Sequence, residues 1–462
     1  MPRDQGSCQL LPNEILELFV DQVGNLRSPV ERRITLQACS LVSIAFRNRA
    51  HHHLFSNVEF TQPSYSVPSK LFYRLRKFRE VVTSGLGFQM TSLLHHVQSF
   101  TLVMDGSVFD AYTTMNNEDL TTIIRMLCKH STAIHTTTLL GSSMRIFWPY
   151  LTRDFREAFK ELCRVPSMRT LHLENLCSVP ATFLLGTKIK NIRLHLVTIF
   201  SPIPGLPAFN CLWDSVGQLQ AVDIDHTFPF FIEEIIGSDT MRTRTVSLEK
   251  SAEKVNLSSI KLLRYTFHLP DDLQRFTQIA LAIHSLEAVS VVFDDTDSSG
   301  FRRAIGDQIP LHELPALRTV AIGHKSSINT GIRGPLLKML DVLKSLSVPR
   351  TLECIELSFE IHSHPPWFKL TEFFPETKTW ALFDKLLTHE TFDSVKRVRL
   401  NLRYTTLQAQ PWTFDEQFFV QRCHGYLSEV FPLLMGSASK ELMADVSVLP
   451  LGEELDMLVF TT

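Results

Sequence analysis

Among the 462 residues of the chain, those whose types could do chemistry fall into a few small groups. His51-His52-His53 is a run of candidate metal ligands. Consecutive helical positions fan out by about 100°, so the three rings diverge instead of converging on one ion, and the triplet reads as the end of a helix. His95-His96 fail in the same way. Cys423-His424 pairs a thiol with a base, but adjacent helical residues do not face each other as a nucleophile and its base must. Asp294, Asp295 and Asp297 offer oxygens to a hard cation, yet a Ca²⁺ loop needs a further spaced Gly and a distal Glu that are missing, so this cluster reads as a solvated turn. The sequence has no GxxxxGKS/T phosphate loop, no GxGxxG after a strand, no HExxH and no GxSxG elbow. The expectation is a chain that is not an enzyme and has no catalytic residues, no metal and no cofactor.

Binding chemistry is equally sparse in the composition. Lys plus Arg 46 against Asp plus Glu 48 gives a net charge of −2, which argues against a general electrostatic grip on nucleic acid or anionic lipid. Arg74, Arg76, Lys77 and Arg79 alternate with Tyr73, Leu75 and Phe78, a pattern that a helix with one apolar and one charged face explains without a nucleic-acid partner. The 8 cysteines lack CxxC spacing and read as thiols in a reducing compartment. The first ten residues lack a secretory apolar core, and the most apolar region, from Ala181 to Phe209, is broken by Lys188, Lys190, Arg193 and prolines. Cytoplasmic or nuclear location without a membrane partner follows as the expectation.

The elements begin with three short helices. A Leu11-Pro12 pair opens the first, because Pro is tolerated where its missing N–H has no intrahelical partner. Ile15, Leu16, Phe19, Val20 and Val23 recur at helical steps until Gly24 and Asn25 break the run. A second periodic run holds Leu36, Cys39, Ser40, Leu41 and Val42, and a third holds Ala45, Phe46, Ala50 and Leu54; Gly24 to Arg33 reads as a loop. A unit this small buries little by itself and needs a neighbour.

This stretch resembles an F-box in the divergent form abundant in mushroom-forming fungi. The matching residues are Leu11-Pro12 with Glu14, Ile15 and Leu16, then Leu36, the run Cys39-Ser40-Leu41-Val42, Phe46-Arg47 and the closing His53-Leu54-Phe55. Phe46 stands where the family most often has Trp, which keeps an aromatic anchor without the indole donor. The resemblance implies an adaptor-binding surface of Leu11, Pro12, Ile15, Leu16, Leu36, Leu41, Val42 and Phe46. It further implies a substrate-recruiting subunit of an SCF-type ligase, whose partners are the Skp-type adaptor, through it a cullin-RING ubiquitin ligase, and a protein substrate.

Beyond Phe60 short strands alternate with helices. Leu171-His172-Leu173, Leu194-His195-Leu196, Val222-Asp223-Ile224 and Leu400-Asn401-Leu402 repeat an apolar–polar–apolar kernel, usually with another apolar residue two or three positions upstream. That is the L-x-x-L-x-L kernel of a leucine-rich repeat, and Asn175 sits near where a ladder asparagine belongs. Spacings of roughly 22 to 43 residues exceed the regular 20–29, so the expected α/β fold is a three-helix F-box-like module at 8–54 followed by an irregular leucine-rich-repeat-like solenoid at 55–450. An ordinary α/β domain with a mixed sheet is the alternative. The competing function is a non-catalytic scaffolding array whose N-terminal helices only cap its first repeat.

Overall fold

The structure is a computed structural model that describes residues 12–26, 28–62, 69–84, 91–104, 107–141, 145–184, 186–200, 219–225, 259–267, 276–277, 279–281, 283–294, 311–326, 333–346, 348–363, 377–406, 421 and 425–450. The chain divides into two compact units, Met1–Val216 and Gly217–Thr462. Both are mixed α/β, and the described main-ladder strands number five in the first unit and seven in the second, paired in parallel within each unit and not closed into a barrel.

The first unit opens with α1 (Asn13–Gly24), α2 (Pro29–Cys39) and α3 (Ile44–Phe55), followed by β1 (Asn57–Gln62). Helices α4 (Ser69–Ser84) and α5 (Thr91–His95) lead to β2 (Ser99–Met104), and α6 (Val108–Met115) and α7 (Glu118–His130) lead to β3 (Thr136–Leu140). After the short β4 (Ile146–Phe147) and α8 (Arg153–Cys163) come β5 (Thr170–Glu174), the short β6 (Leu176–Cys177) and β7 (Val179–Pro180), β8 (Asn191–His195) and β9 (Ile199–Phe200). The ladder runs β1-β2-β3-β5-β8, each strand beside the next in sequence apart from the short pairs β4-β6 and β7-β9. Alternate residues face the helices: Phe100, Leu102 and Met104 on β2, Leu171 and Leu173 on β5, and Ile192 and Leu194 on β8 are buried. Against them pack Leu120, Ile123, Ile124 and Leu127 of α7 and Phe155, Phe159 and Leu162 of α8, each at helical spacing. Apolar surface removed from water on both sides holds the layers together.

Strand β3 escapes the kernel pattern. Its sequence, Thr136-Thr137-Thr138-Leu139-Leu140, carries polar letters, but Thr137 is fully buried and sits in register between Phe100 and Leu171. Threonine is β-branched and suits a pleated strand. Helix α6 was also not anticipated; Ser107 caps it, with Asp110 completing a reciprocal capping box. Where strands end, Asn175 takes the left-handed conformation at φ 54°, donating its backbone N–H to His195 O, while its side chain reaches Gly141 O at 3.4 Å. It therefore ties together the exits of β3, β5 and β8. A Cβ at Gly141 would lie 2.9 Å from Asn175 Cβ, so only glycine admits this approach. Leu196, assigned above to a strand kernel, lies past the end of β8 at φ 52°, and the core positions of that strand are Ile192 and Leu194.

The second unit carries β10 (Ala221–Asp225), β11 (Leu262–Phe267), β12 (Ala288–Asp294), β13 (Thr319–Ser326), α9 (Arg333–Ser345), β14 (Cys354–Ser363), α10 (Thr377–Leu387), β15 (Arg397–Thr406), α11 (Pro432–Met435) and β16 (Glu441–Pro450). Its seven strands pair in sequence order, all parallel. Tyr265, Phe267, Val291, Phe293, Ile322, Leu357 and Phe359 fill the core face with Trp380 and Phe383 of α10. Asp384 is buried and accepts the backbone N–H groups of Leu433 at 2.8 Å and Leu434 at 2.9 Å, so a carboxylate from α10 caps α11. Lys440 reciprocates by donating to the carbonyls of Leu387 at 2.6 Å and Phe392 at 3.0 Å.

Gly323 and His324 lie inside β13. Residues 425–430 are helical, and after Phe431 Pro432 starts α11. Ser201 to Pro207, His364 to Trp367, Gln410 to Trp412, Asp295 with Asp297, and Cys423-His424 lie outside the described residues. Among the described residues no helix is long and apolar enough to cross a membrane.

Leu173 is 2% exposed at the centre of its ladder. Leu173→Ala is expected to cost about 2–5 kcal/mol through lost burial and a residual cavity, read as a lower melting temperature of the purified chain. An unchanged melting temperature would contradict this placement of the core.

Candidate docking surface

Helices α1, α2 and α3 owe their ends to local sequence. Ser28 precedes Pro29 and Glu31, and its Oγ accepts the Glu31 N–H at 3.3 Å, so α2 starts inside the stretch read as a loop. Ser43 caps α3 through the Phe46 N–H at 3.2 Å. Helix α2 ends at Cys39, which leaves Leu41 and Val42 in a turn instead of on the helix. That turn is fixed: the N–H groups of Leu41 and Val42 donate to the carbonyls of Ala38 and Cys39, and Arg47 Nε donates to Ser40 O at 3.1 Å.

Between the helices lies a core of Val20, Leu36 and Ala50, with Val23, Cys39, Phe46 and Leu54 packed against it. Such a core is small, and an ion pair supplements it. Asp21 of α1 receives Arg49 of α3 in a two-pronged contact, Nε to Oδ1 at 2.6 Å and Nη2 to Oδ2 at 2.9 Å, and His53 Nε2 lies 2.8 Å from the same Oδ1. The Arg49 hydrogen bond, opposed in part by desolvation and reinforced by His53, lowers the Asp21 carboxyl to about 2. Of the three helices, α3 packs most closely on β1 and α5, and His52 makes an edge contact with His96 just past α5. Burial keeps His51, His52 and His96 below the usual histidine range, and His51-His52-His53 do not form a ligand set with any third group among the described residues.

On the other faces of the three helices several large apolar side chains are left uncovered among charged neighbours. Leu41 is 81% exposed, Ile44 74% and Val42 67%, and Ile15, Leu18, Phe19, Leu26, Val30 and Ile34 are also exposed. Half of the large apolar side chains exposed among the described residues therefore fall within this one stretch. An apolar concentration of this kind marks an interaction site. Turn geometry holds Leu41 and Val42 outward before any partner arrives, which lowers the ordering cost of association.

The eight residues implied by the resemblance separate into two layers. Pro12, Ile15, Leu41 and Val42 are exposed; Leu16 and Phe46 are half-buried; Leu11 lies outside the described residues. Leu36 is 2% exposed and belongs to the core beneath these residues. Leu18, Val30, Ile34 and Ile44 are exposed apolar residues of the same three helices and lie outside the eight that the resemblance implies. The signal for Val30 and Ile34 was present as the Ser28-Pro29-x-Glu31 helix start, whose four-residue step places both on one side of α2.

The Asp21 interaction carries a pH prediction. Its folded pKa lies below the unfolded value near 4, so its stabilisation is complete above that value and is lost as pH falls from about 4 towards 2. Discounted for a side chain that remains 25% exposed, the contribution is about 1–2 kcal/mol. Asp21→Asn is expected to lower stability by that amount at neutral pH, with the deficit shrinking in acid, as measured by urea denaturation across pH. An equal deficit at all pH values would contradict the ion-pair account.

No family model matches the chain, and no curated protein matches it.

Proposed function

We propose that the chain is a substrate-recruiting subunit of an SCF-type ubiquitin ligase, in which the exposed apolar faces of α1, α2 and the α2–α3 turn dock a Skp-type adaptor. In this reading the α/β ladders form an irregular leucine-rich-repeat-like solenoid that receives a protein substrate, and catalysis is left to the ligase the adaptor recruits. The carrying observation is the exposure of Leu41 and Val42 on a hydrogen-bonded turn, of Ile44 at the start of α3 and of Ile15 on α1. A helical groove on a partner that covers these side chains gains about 1.5–3 kcal/mol for each one fully buried. Parallel strands that follow one another in space and sequence, at steps from 21 residues (Thr170 to Asn191) to 44 (Arg397 to Glu441), support the array as irregular.

A cap that only seals the first repeat would bury its apolar residues against that repeat. Pro12, Ile15, Leu41 and Val42 instead remain exposed, which favours docking.

The test is a double substitution, Leu41→Asp with Val42→Asp. Both side chains lie outside the core, so the melting temperature is expected to stay within a few degrees of the parent. Affinity for a purified Skp-type adaptor is expected to fall by about 2–4 kcal/mol, thirtyfold or more, as measured by calorimetry. Unchanged adaptor binding would sink the proposal, as would no binding by the parent chain.

A further inference from the structure

Apart from α1 to α3, the first unit exposes aromatic rings on α6 and on the stretch that follows β3. Phe109 is 78% exposed, Tyr150 72% and Phe147 46%, and Tyr112 is half-buried. The rings of Tyr112 and Tyr150 lie 6.1 Å apart at 58°, and those of Phe147 and Tyr150 5.9 Å apart at 41°. Rings that meet at such angles do not cover one another, so Tyr150 keeps a face for a third group. The ridge is held from beneath. Strand β4 pairs with β6, and the Ile146 N–H donates to Asn175 O at 2.8 Å. In the 3₁₀ turn Trp148–Tyr150, Trp148 is buried against Phe155, Phe159 and Phe183. Asn116, at the end of α6, accepts the Thr152 N–H at 2.7 Å through Oδ1, and Tyr112 Oη accepts the Phe147 N–H at 2.8 Å. A surface fixed in advance spends little ordering entropy on a partner.

The polar groups along this ridge are mainly donors. Because Tyr112 Oη accepts from Phe147, its own O–H is left to donate, and the exposed Tyr150 brings a second hydroxyl. Arg145 and Arg153, both exposed, bracket the stretch in sequence and make its rim positive. Two carboxylates nearby in sequence are engaged: Asp154 receives Arg125 at 3.2 Å, and Asp110 closes the capping box of α6. Aromatic faces with a positive, donor-rich rim complement a chain that supplies carbonyl oxygens and apolar rings without N–H groups. Proline has that chemistry, a C=O and an apolar ring with no backbone N–H. In the polyproline II conformation the carbonyls stay unpaired and the backbone is ordered before it binds.

We infer that the ridge of Tyr112, Phe147 and Tyr150 docks a proline-rich segment of a partner protein in the polyproline II conformation, with proline rings on the aromatic faces and carbonyl oxygens accepting from the tyrosine hydroxyls. The inference rests on α6 and the stretch from β4 to α8, and it stands whether or not α1 to α3 dock an adaptor.

The test titrates the full chain into three fluorescein-labelled peptides, octaproline, a Ser-Gly octapeptide and octaglutamate, and reads fluorescence anisotropy. Octaproline is expected to bind saturably with a Kd below about 1 mM, and about tenfold or more tighter than the other two. Tyr150→Ala removes an exposed ring, so the melting temperature is expected to hold while octaproline binding weakens about tenfold or more. Tyr112→Phe keeps the ring and loses the hydroxyl, and is expected to weaken binding about threefold to tenfold. No binding of octaproline, equal binding of the Ser-Gly peptide, equal binding of octaglutamate (attraction to the arginines alone), or unchanged affinity in either variant overturns the inference.

Discussion

The contact between Asp21 and the Arg49–His53 pair is the constraint on which the N-terminal surface depends. Three short helices around Val20, Leu36 and Ala50 bury too little apolar area to fix their own angles. A carboxylate gripped at two oxygens by one guanidinium has a defined geometry, so it sets how α1 lies on α3. Once that angle is fixed, Ile15, Leu18 and Phe19 are turned away from the core and Ile44 and Leu41 stand free. The chain carries the cost of leaving this apolar surface in water.

Helix α3 links this surface to the sheet. It ends at Phe55, and two residues later β1 begins, with Ser56 O accepting from Gln98 and Ser99 of the next ladder strand. The three helices are thereby connected to the first ladder through a single residue, with no linker between. In the proposed reading, where the chain presents a bound protein to a distant catalyst, such a stiff junction transmits orientation instead of losing it to chain entropy.

Much of the fold was legible in the sequence. The kernels Leu171-His172-Leu173 and Leu400-Asn401-Leu402 declare β5 and β15 by alternation, since one face of each must meet the helices. Strand β3 did not, because Thr137 fills a core slot with a polar letter, and only its neighbours Phe100 and Leu171 reveal the slot. Leu41 and Val42, exposed in the structure, stand in the run Cys39-Ser40-Leu41-Val42 that carries the family resemblance. The burial of Leu36 was not legible, because an apolar residue on a small helix reads alike whether it faces the core or solvent.

Hydrogen exchange of the full chain with and without a purified Skp-type adaptor tests the central claim most directly. The account predicts that binding slows exchange of the backbone amides of α1, α2 and the Ser40–Val42 turn, and leaves those of β10 to β16 unchanged. Protection confined to the strands, with the three helices exchanging as in the free chain, would contradict it.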